Sequence, residues 1–159
     1  MRTGIGYDSH RFAPGGPMVL GGIQLPAAMH CDGHSDGDAI CHAVTDALLG
    51  AAALGDIGEL FPDTDPANKN KDSVVMLAAA IDRLHAAGWK TSNVDITVIA
   101  QQPKIGPHRV AMRERLAAVL GVSIDDVFVK GKTNERMGWI GREEGLAVMA
   151  VATIVRVTP

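Results

Sequence analysis

The residues best suited to chemistry are the histidines and carboxylates of two early stretches, "GYDSH" and "HCDGHSDGDAICH". Asp8 and His10 stand two apart in a strand-like run. Alternate residues of a strand share a face with Cα atoms about 6 to 7 Å apart, so a carboxylate oxygen and an imidazole nitrogen can converge on one cation. His42 falls one turn into a helical pattern, where a third ligand could meet them from a rigid element. Asp, His, His with an open position suits a catalytic zinc, but ordinary hydrogen bonding accounts for the same residues, and spacing alone leaves both readings open. Asp38, His42 and Asp46 share a helical face at i, i+4 spacing. A carboxylate there could accept the proton of the ring nitrogen turned away from a metal. Asp46 otherwise reads as part of a solvated face, and His34 could donate to a charged oxygen.

Three further stretches carry polar chemistry. "GDIGELFPDTDP" contributes Asp56, Gly58, Phe61, Asp63, Thr64 and Asp65, an acidic loop that could bind sugar-like hydroxyls or magnesium while its glycines permit close backbone approach. "VKGKTNE" offers Lys130, Lys132, Thr133 and Glu135; Lys and Thr suit phosphate oxygens and Glu a hard cation, and a solvated loop explains them equally. "QQPKIGPH" adds Lys104 on a stiff, Pro-bounded turn. No "GxxxxGK[ST]" phosphate loop exists, and the "GxG" at Gly4 to Gly6 lacks the third glycine of a dinucleotide fingerprint.

The elements that must position these groups follow from periodicity. Strands are expected at Thr3 to Asp8, in "MVLGG", "NVDITVIAQQ" and "DVFVKGKTN", and over the final "LAVMAVATIVRV"; "LPAAMHCDGHSDGD" and "GDIGELFPDTDPANKNKDS" read as loops. Helices are expected from Asp38 to about Leu54, with Ile40, Val44, Ala47, Leu48 and Ala51 as the apolar stripe, from Asp72 or Ser73 to Gly88, and from Pro107 to Leu120. Asp36 or Asp38 is the candidate cap of the first helix. The alternation predicts a single α/β domain with one sheet and crossover connections. Both alternation sets of the last strand are apolar or small, Leu146, Val148, Ala150, Ala152 and Ile154 against Ala147, Met149, Val151, Thr153 and Val155. Such a strand needs cover on both faces, so helices on one side and a second copy's sheet on the other are expected, which makes a homo-oligomer.

Composition narrows the class. The chain has 159 residues, 47% of them hydrophobic and 21% charged, enough for one domain with its own core. A net charge of -3 with mixed signs argues against nucleic acid or an anionic membrane as partner. Two cysteines, Cys31 and Cys41, are no disulfide framework and favour a reducing compartment. No targeting signal and no membrane-spanning run is found, so the cytoplasm is expected, or a plastid had a transit peptide been removed.

Taken in order, "GYDSH", "HSDGDAICHAVTDALLGAAALGDIGELFPDTDP", "NVDITVIAQQPKIGPH" and "VKGKTNERMGWIGREEG" closely resemble the 2-C-methyl-D-erythritol 2,4-cyclodiphosphate synthase family, over essentially the whole chain. The resemblance implies a homotrimer with sheets packed about the threefold axis and active sites at subunit interfaces. It implies closure of 4-diphosphocytidyl-2-C-methyl-D-erythritol 2-phosphate into a cyclic diphosphate with release of CMP, in the non-mevalonate isoprenoid pathway. By the family motifs, Asp8, His10 and His42 hold zinc, and Glu135 helps hold magnesium or manganese between the α- and β-phosphates. His34 and Thr133 act at the transferring phosphate with Ser35 nearby. Asp56, Ile57 and Gly58 with Phe61, Pro62, Asp63, Thr64 and Asp65 receive the erythritol part. Ala100, Gln101, Gln102, Pro103, Lys104, Ile105 and Gly106 form the cytidine pocket, joined by Lys132, Thr133, Asn134 and Glu135 of the same neighbouring subunit. Ser9, Trp139 and Arg142 complete the implied substrate-binding set, and Arg142 and Glu144 lie near a central cavity associated with isoprenoid phosphates.

Glu143 stands where the family usually has Gly, which puts a left-handed turn there in question, and Trp139 replaces the usual Phe or Tyr. The stretch "AMHCDGHSDGD" also differs just ahead of His34. Two other functions compete with the cyclase: a metal-dependent phosphoesterase using zinc-bound water, and a binding trimer without turnover. Release of CMP rather than inorganic phosphate separates the first. Intact Asp8, His10, His42 and Glu135 argue against the second.

Overall fold

Glycines at alternate positions of the first strand set the geometry of the whole site. The structure, a computed structural model, describes residues 1–157. Strand β1 (Arg2–Pro14) runs well beyond the expected end at Asp8. It pairs antiparallel with β7 (Gly145–Arg156) from Arg2 to Arg11, and then with β4 (Met29–Cys31) from Phe12 to Pro14. Asp8 and His10 therefore lie inside a strand held on a long ladder, opposite Val148 and Leu146.

The even positions of β1, Gly4, Gly6, Asp8 and His10, share the face covered by helix α1 (Ala39–Ala52). A Cβ at Gly4 would overlap the carbonyl oxygen of Ala47, and one at Gly6 that of Ala43. Two missing side chains on the strand and small Ala43, Ala47 and Ala51 on the helix bring the backbones together. That close approach carries His42 down onto Asp8 and His10. The "GxG" is thus a packing device, in keeping with its failure as a dinucleotide motif.

Asp38 caps α1: its side chain accepts from the N–H groups of Ile40 and Cys41, both at 3.1 Å, and also from Gly21 at 2.8 Å and Gly22 at 2.6 Å. Those glycines turn the hairpin of β2 (Met18–Leu20) and β3 (Ile23–Leu25), so one buried carboxylate ties hairpin to helix. The stretch from Leu25 to Asp38, expected as all loop, contains the end of β3 and all of β4. The second expected loop holds a one-turn helix α2 (Ile57–Leu60), capped by Asp56, and a 3₁₀ turn at Pro66–Asn68. Helix α3 (Ser73–Ala86) opens on Asp72, which accepts from Val74 N–H at 2.7 Å, and buries Leu77, Ile81 and Leu84 as its spacing predicts.

Strand β5 (Trp89–Ile99) leads through α4 (Arg109–Leu120) into β6 (Val127–Lys132), and short α5 (Gly138–Gly141) precedes β7. The five-stranded sheet has the order β4-β1-β7-β5-β6. Among neighbouring strands only β5 and β6 are parallel, joined by the α4 crossover; β7 is antiparallel to both its neighbours, so β1 and β5 on either side of it also run parallel, and the chain crosses from one to the other through α1 and α3.

Helices cover one face, where Leu146, Val148, Ala150, Ala152 and Ile154 are buried. On the other face Ile5 is 64% exposed, Tyr7 56%, Met149 42% and Val151 41%. Ile5 pairs with Val151 and Tyr7 with Met149, so these four form one contiguous apolar patch. Among the described residues no helix is long and apolar enough to cross a membrane. Glu143 does adopt a left-handed conformation, with φ of 60°, so the turn is kept without the glycine.

Candidate metal and substrate site

Asp8 Oδ2 lies 3.0 Å from Nδ1 of His10 and 3.0 Å from Nδ1 of His42. The two rings sit 5.3 Å apart between centroids, tilted by 41°. One donor atom from each of the three residues falls within 4.8 Å of the others, the only such metal-ligand cluster among the described residues. His10 Nδ1 is buried and makes no hydrogen bond. An orphaned ring nitrogen facing a carboxylate and a second imidazole is what a divalent cation would satisfy, and this nitrogen-rich set with one carboxylate fits zinc. Burial pushes the Asp8 carboxyl up, but the close approach of the His10 and His42 rings prevails and holds it below the ordinary range. Burial likewise pulls His42 down, and the Asp8 hydrogen bond and charge outweigh it, so the ring's affinity for a proton is raised.

The far nitrogen of His42 is held as well. Its Nε2 lies 2.8 Å from Ser73 Oγ and 3.1 Å from Ser35 Oγ. The carboxylate expected here from helical spacing is therefore displaced: Asp38 is consumed by its cap and its hairpin bonds, and Asp46 points toward the next segment. Asp46 accepts the Ile57 N–H at 2.8 Å and is half-buried, with burial raising its carboxyl pKa. It fixes the start of α2 rather than forming a solvated face.

These elements surround a cavity of about 370 Å³ lined by Asp8, His10, His34, Ser35, His42, Ile57, Gly58, Phe61, Asp63, Asn68 and Met76. Asn68 and Met76 had no signal in the sequence. Asn68 is buried, donates from Nδ2 to the Pro62 carbonyl at 2.9 Å and accepts from Lys71 Nζ at 3.1 Å, while Lys71 sits over the Phe61 ring at 4.9 Å. The loop is thereby folded back over the triad. Asp56 and Asp65 serve as local caps, accepting from Glu59 N–H at 2.8 Å and Ala67 N–H at 2.9 Å. Pro62 and Thr64 are exposed beside them, and Ser9 is exposed on the opposite face of β1 from the triad.

A second cleft of about 290 Å³ is lined by Ala100, Pro103, Lys104, Ile105, Gly106, Lys132 and Thr133 together with Pro107, Arg109 and Gly131. Ala100 N–H donates to the Lys132 carbonyl at 2.8 Å, and Gly131 has no side chain to obstruct Ile105, so the 100–106 loop seats against the end of β6. Gln101 Oε1 accepts the Asn134 N–H at 3.0 Å; Gln102 lines a small apolar recess beside Pro103. Thr133 Oγ1 donates to Glu135 Oε1 at 2.7 Å, and Glu135 is exposed with φ of 50°. Trp139 is partly exposed on α5, and Arg142 pairs with Glu144 at 2.5 Å; neither lines either cleft. Within one chain, Thr133 and Glu135 are not brought to the triad. Cys31 and Cys41 are free and buried, with the Cys31 thiol pushed up to about 12 by burial.

A mixed sheet backed on one face by helices, with an Asp-His-His triad under a loop of carboxylates, defines an α/β domain with a candidate site for a divalent metal. The YgbB family model matches residues 1–155, and the chain belongs to that family. It is 76% identical over 157 residues to the 2-C-methyl-D-erythritol 2,4-cyclodiphosphate synthase of Gemmatimonas aurantiaca, covering 99% of this chain and 95% of that one. A solved 2C-methyl-D-erythritol-2,4-cyclodiphosphate synthase in its CDP-bound form superposes with a TM-score of 0.89 at 38% identity, covering 97% of this chain and all of the other. The bifunctional IspDF of Campylobacter jejuni superposes at 0.94 with 42% identity over 98% of this chain, which spans 42% of that longer protein.

Proposed function

We propose that this protein is the lyase that closes 4-diphosphocytidyl-2-C-methyl-D-erythritol 2-phosphate into 2-C-methyl-D-erythritol 2,4-cyclodiphosphate with release of CMP. The observation that carries the reading is the triad of Asp8, His10 and His42 at the floor of a cavity roofed by Ile57 to Asp63, in a chain 76% identical to a protein of that name. The 2-phosphate oxygen attacks the β-phosphorus, the bond to the α-phosphate oxygen breaks, and CMP carries that oxygen away. Nucleophile and electrophile share one molecule, so the protein's task is to select one conformer and offset charge.

Asp8, His10 and His42 would hold zinc and Glu135 would help hold magnesium or manganese; bound there, the cations supply positive charge to the phosphate oxygens. His34, exposed at the cavity mouth, donates to a non-bridging oxygen of the transferring phosphate, and Thr133 positions the same group from the other side. Ile57 and Gly58 offer main chain to the diol, while Asp56 and Asp63 accept from its hydroxyls. The 100–106 loop takes the cytosine, and Lys132 offsets phosphate charge. No protein nucleophile is needed.

A site assembled from the triad of one subunit and the 132–135 segment of another accounts for the separation of the two clefts within one chain. The uncovered patch of Ile5, Tyr7, Met149 and Val151 supports packing of three sheets about a threefold axis. We place Trp139 and Arg142 at that axis, near a cavity that would admit an isoprenoid phosphate, and the trimer in the cytoplasm. Phosphorus NMR of the zinc- and magnesium-loaded protein with its substrate tests the reaction: CMP and a cyclic diphosphate are expected, and inorganic phosphate in their place would establish a phosphoesterase. His42→Ala should lower turnover about a thousandfold and abolish stoichiometric zinc.

A further inference from the structure

We infer that Ser73 and Asp36 are positioning residues for His42, holding an acceptor against Nε2 so that Nδ1 is the nitrogen turned to the cation; this rests on the reading that Asp8, His10 and His42 hold zinc. Ser73 is the first residue of α3 and is fully buried. Its hydroxyl donates to Asp36 Oδ1, and its main-chain N–H donates to Asp36 Oδ2 at 3.1 Å. A hydroxyl has one proton, and an ionised carboxylate can only accept. The Ser73 proton is therefore committed to Asp36, and toward His42 the Ser73 oxygen can only accept. His42 Nε2, 2.8 Å away, is therefore the donor to Ser73, and the nitrogen left for a cation is Nδ1, whose hydrogen otherwise bonds Asp8 Oδ2 at 3.0 Å.

Ser35 Oγ also approaches Nε2, at 3.1 Å, but has no carboxylate behind it. Its other neighbours are the Gly37 N–H, which donates to it at 3.3 Å, and Ser73 Oγ at 3.4 Å. Its proton can turn either way, so it does not choose a tautomer. Asp36 is itself fixed: its N–H donates to the Lys71 carbonyl at 3.2 Å, Asn70 N–H donates to the His34 carbonyl at 2.8 Å, and Asp38 N–H donates to Asp36 Oδ1 at 3.2 Å. The relay is built before any cation arrives. Metal-ligating histidines commonly donate their second ring hydrogen to a carboxylate or carbonyl, and here a serine hydroxyl extends that link by one step.

The test measures zinc affinity by competition with a chromophoric chelator and, by ¹⁵N NMR of the zinc-loaded protein, which His42 nitrogen keeps its hydrogen. Wild type should show the Nε2–H form. Ser73→Ala should show mixed tautomers, bind zinc about tenfold more weakly and keep its KM, since no substrate contact is removed. Asp36→Asn, isosteric and able to donate to Ser73 Oγ, should shift both readings the same way and carries the test should Ser73→Ala not fold. An Nδ1–H tautomer in wild type, or zinc affinity unchanged in folded Ser73→Ala, overturns the inference. Wild type that takes up no zinc, or His42→Ala that takes up as much, removes the metal reading itself.

Discussion

The two clefts of this chain are built differently. The triad side is internal: strand β1 and helix α1 are locked by backbone contact, His42 is held at both ring nitrogens, and the loop over it is pinned by Asp46, Asn68 and Lys71. The 132–135 side is open: Thr133 and Glu135 are exposed at a strand end and bond chiefly to each other. One region is shaped by folding alone, and the other presents its polar groups to solvent, free to meet a ligand or a neighbour. On the proposed reading, a site divided in this way separates the seat of the electrophile from the groups that meet the leaving group.

The most damaging way to break the contrast is Gly6→Ala. Its Cβ would meet the Ala43 carbonyl, so α1 must lift from β1 and His42 with it; a loss of about 3 kcal/mol in denaturant unfolding, together with lost zinc, is expected. Stability close to wild type would show that the backbone contact does not set the triad.

The division itself is tested by mixing subunits of His42→Ala with subunits of Glu135→Ala. Each variant alone should be nearly inactive, whereas co-refolded mixtures should recover about one quarter of wild-type turnover, the fraction of interface sites with both residues intact in a random trimer. No recovery would place both residues in sites made by a single chain.

The triad should make stability depend on pH. Asp8 is held below 3.8 and His42 above 6.5, so in the metal-free protein the Asp8 contribution is lost only as pH falls through its lowered value. The His42 contribution is full below 6.5 and lost as pH rises through its raised value. Metal-free protein should therefore melt highest in mildly acidic buffer, between those limits, and zinc should shift that optimum upward because it competes with the His42 proton. Melting curves from pH 4 to 9 with and without zinc read both effects. The smallest change is Glu143→Gly, which relieves a left-handed backbone and should raise stability by about 1 kcal/mol while leaving zinc affinity unchanged, since Glu143 touches neither cleft.

Local patterns made much of this legible. Period 3.6 placed α1 and α3, the Asp38 and Asp72 caps followed from residue type at a helix start, and the doubly apolar β7 signalled an uncovered face. Asp8, His10 and His42 were candidates by spacing but became a cluster only through 34 residues of intervening chain. Contacts with no local period were invisible: Ser73 meeting His42, Asp46 meeting Ile57 and Asn68 closing on Pro62 join segments that fold together late in sequence. Gly4 and Gly6 carry a signal that comparison with a dinucleotide motif does not read. Absent side chains in register with two ligands mark where a helix will press against a strand.

Strand β1 uses its parity fully. Even positions hold the triad's first two residues and the helix contact, and odd positions Ile5 and Tyr7 carry the bare apolar surface. The strand therefore has no slack for insertion. One added residue between Tyr7 and Asp8 would leave only one flank in register: either a carboxylate and an imidazole turn outward onto a greasy surface, or Ile5 and Tyr7 turn inward against α1, so a single codon costs the strand one of its two faces.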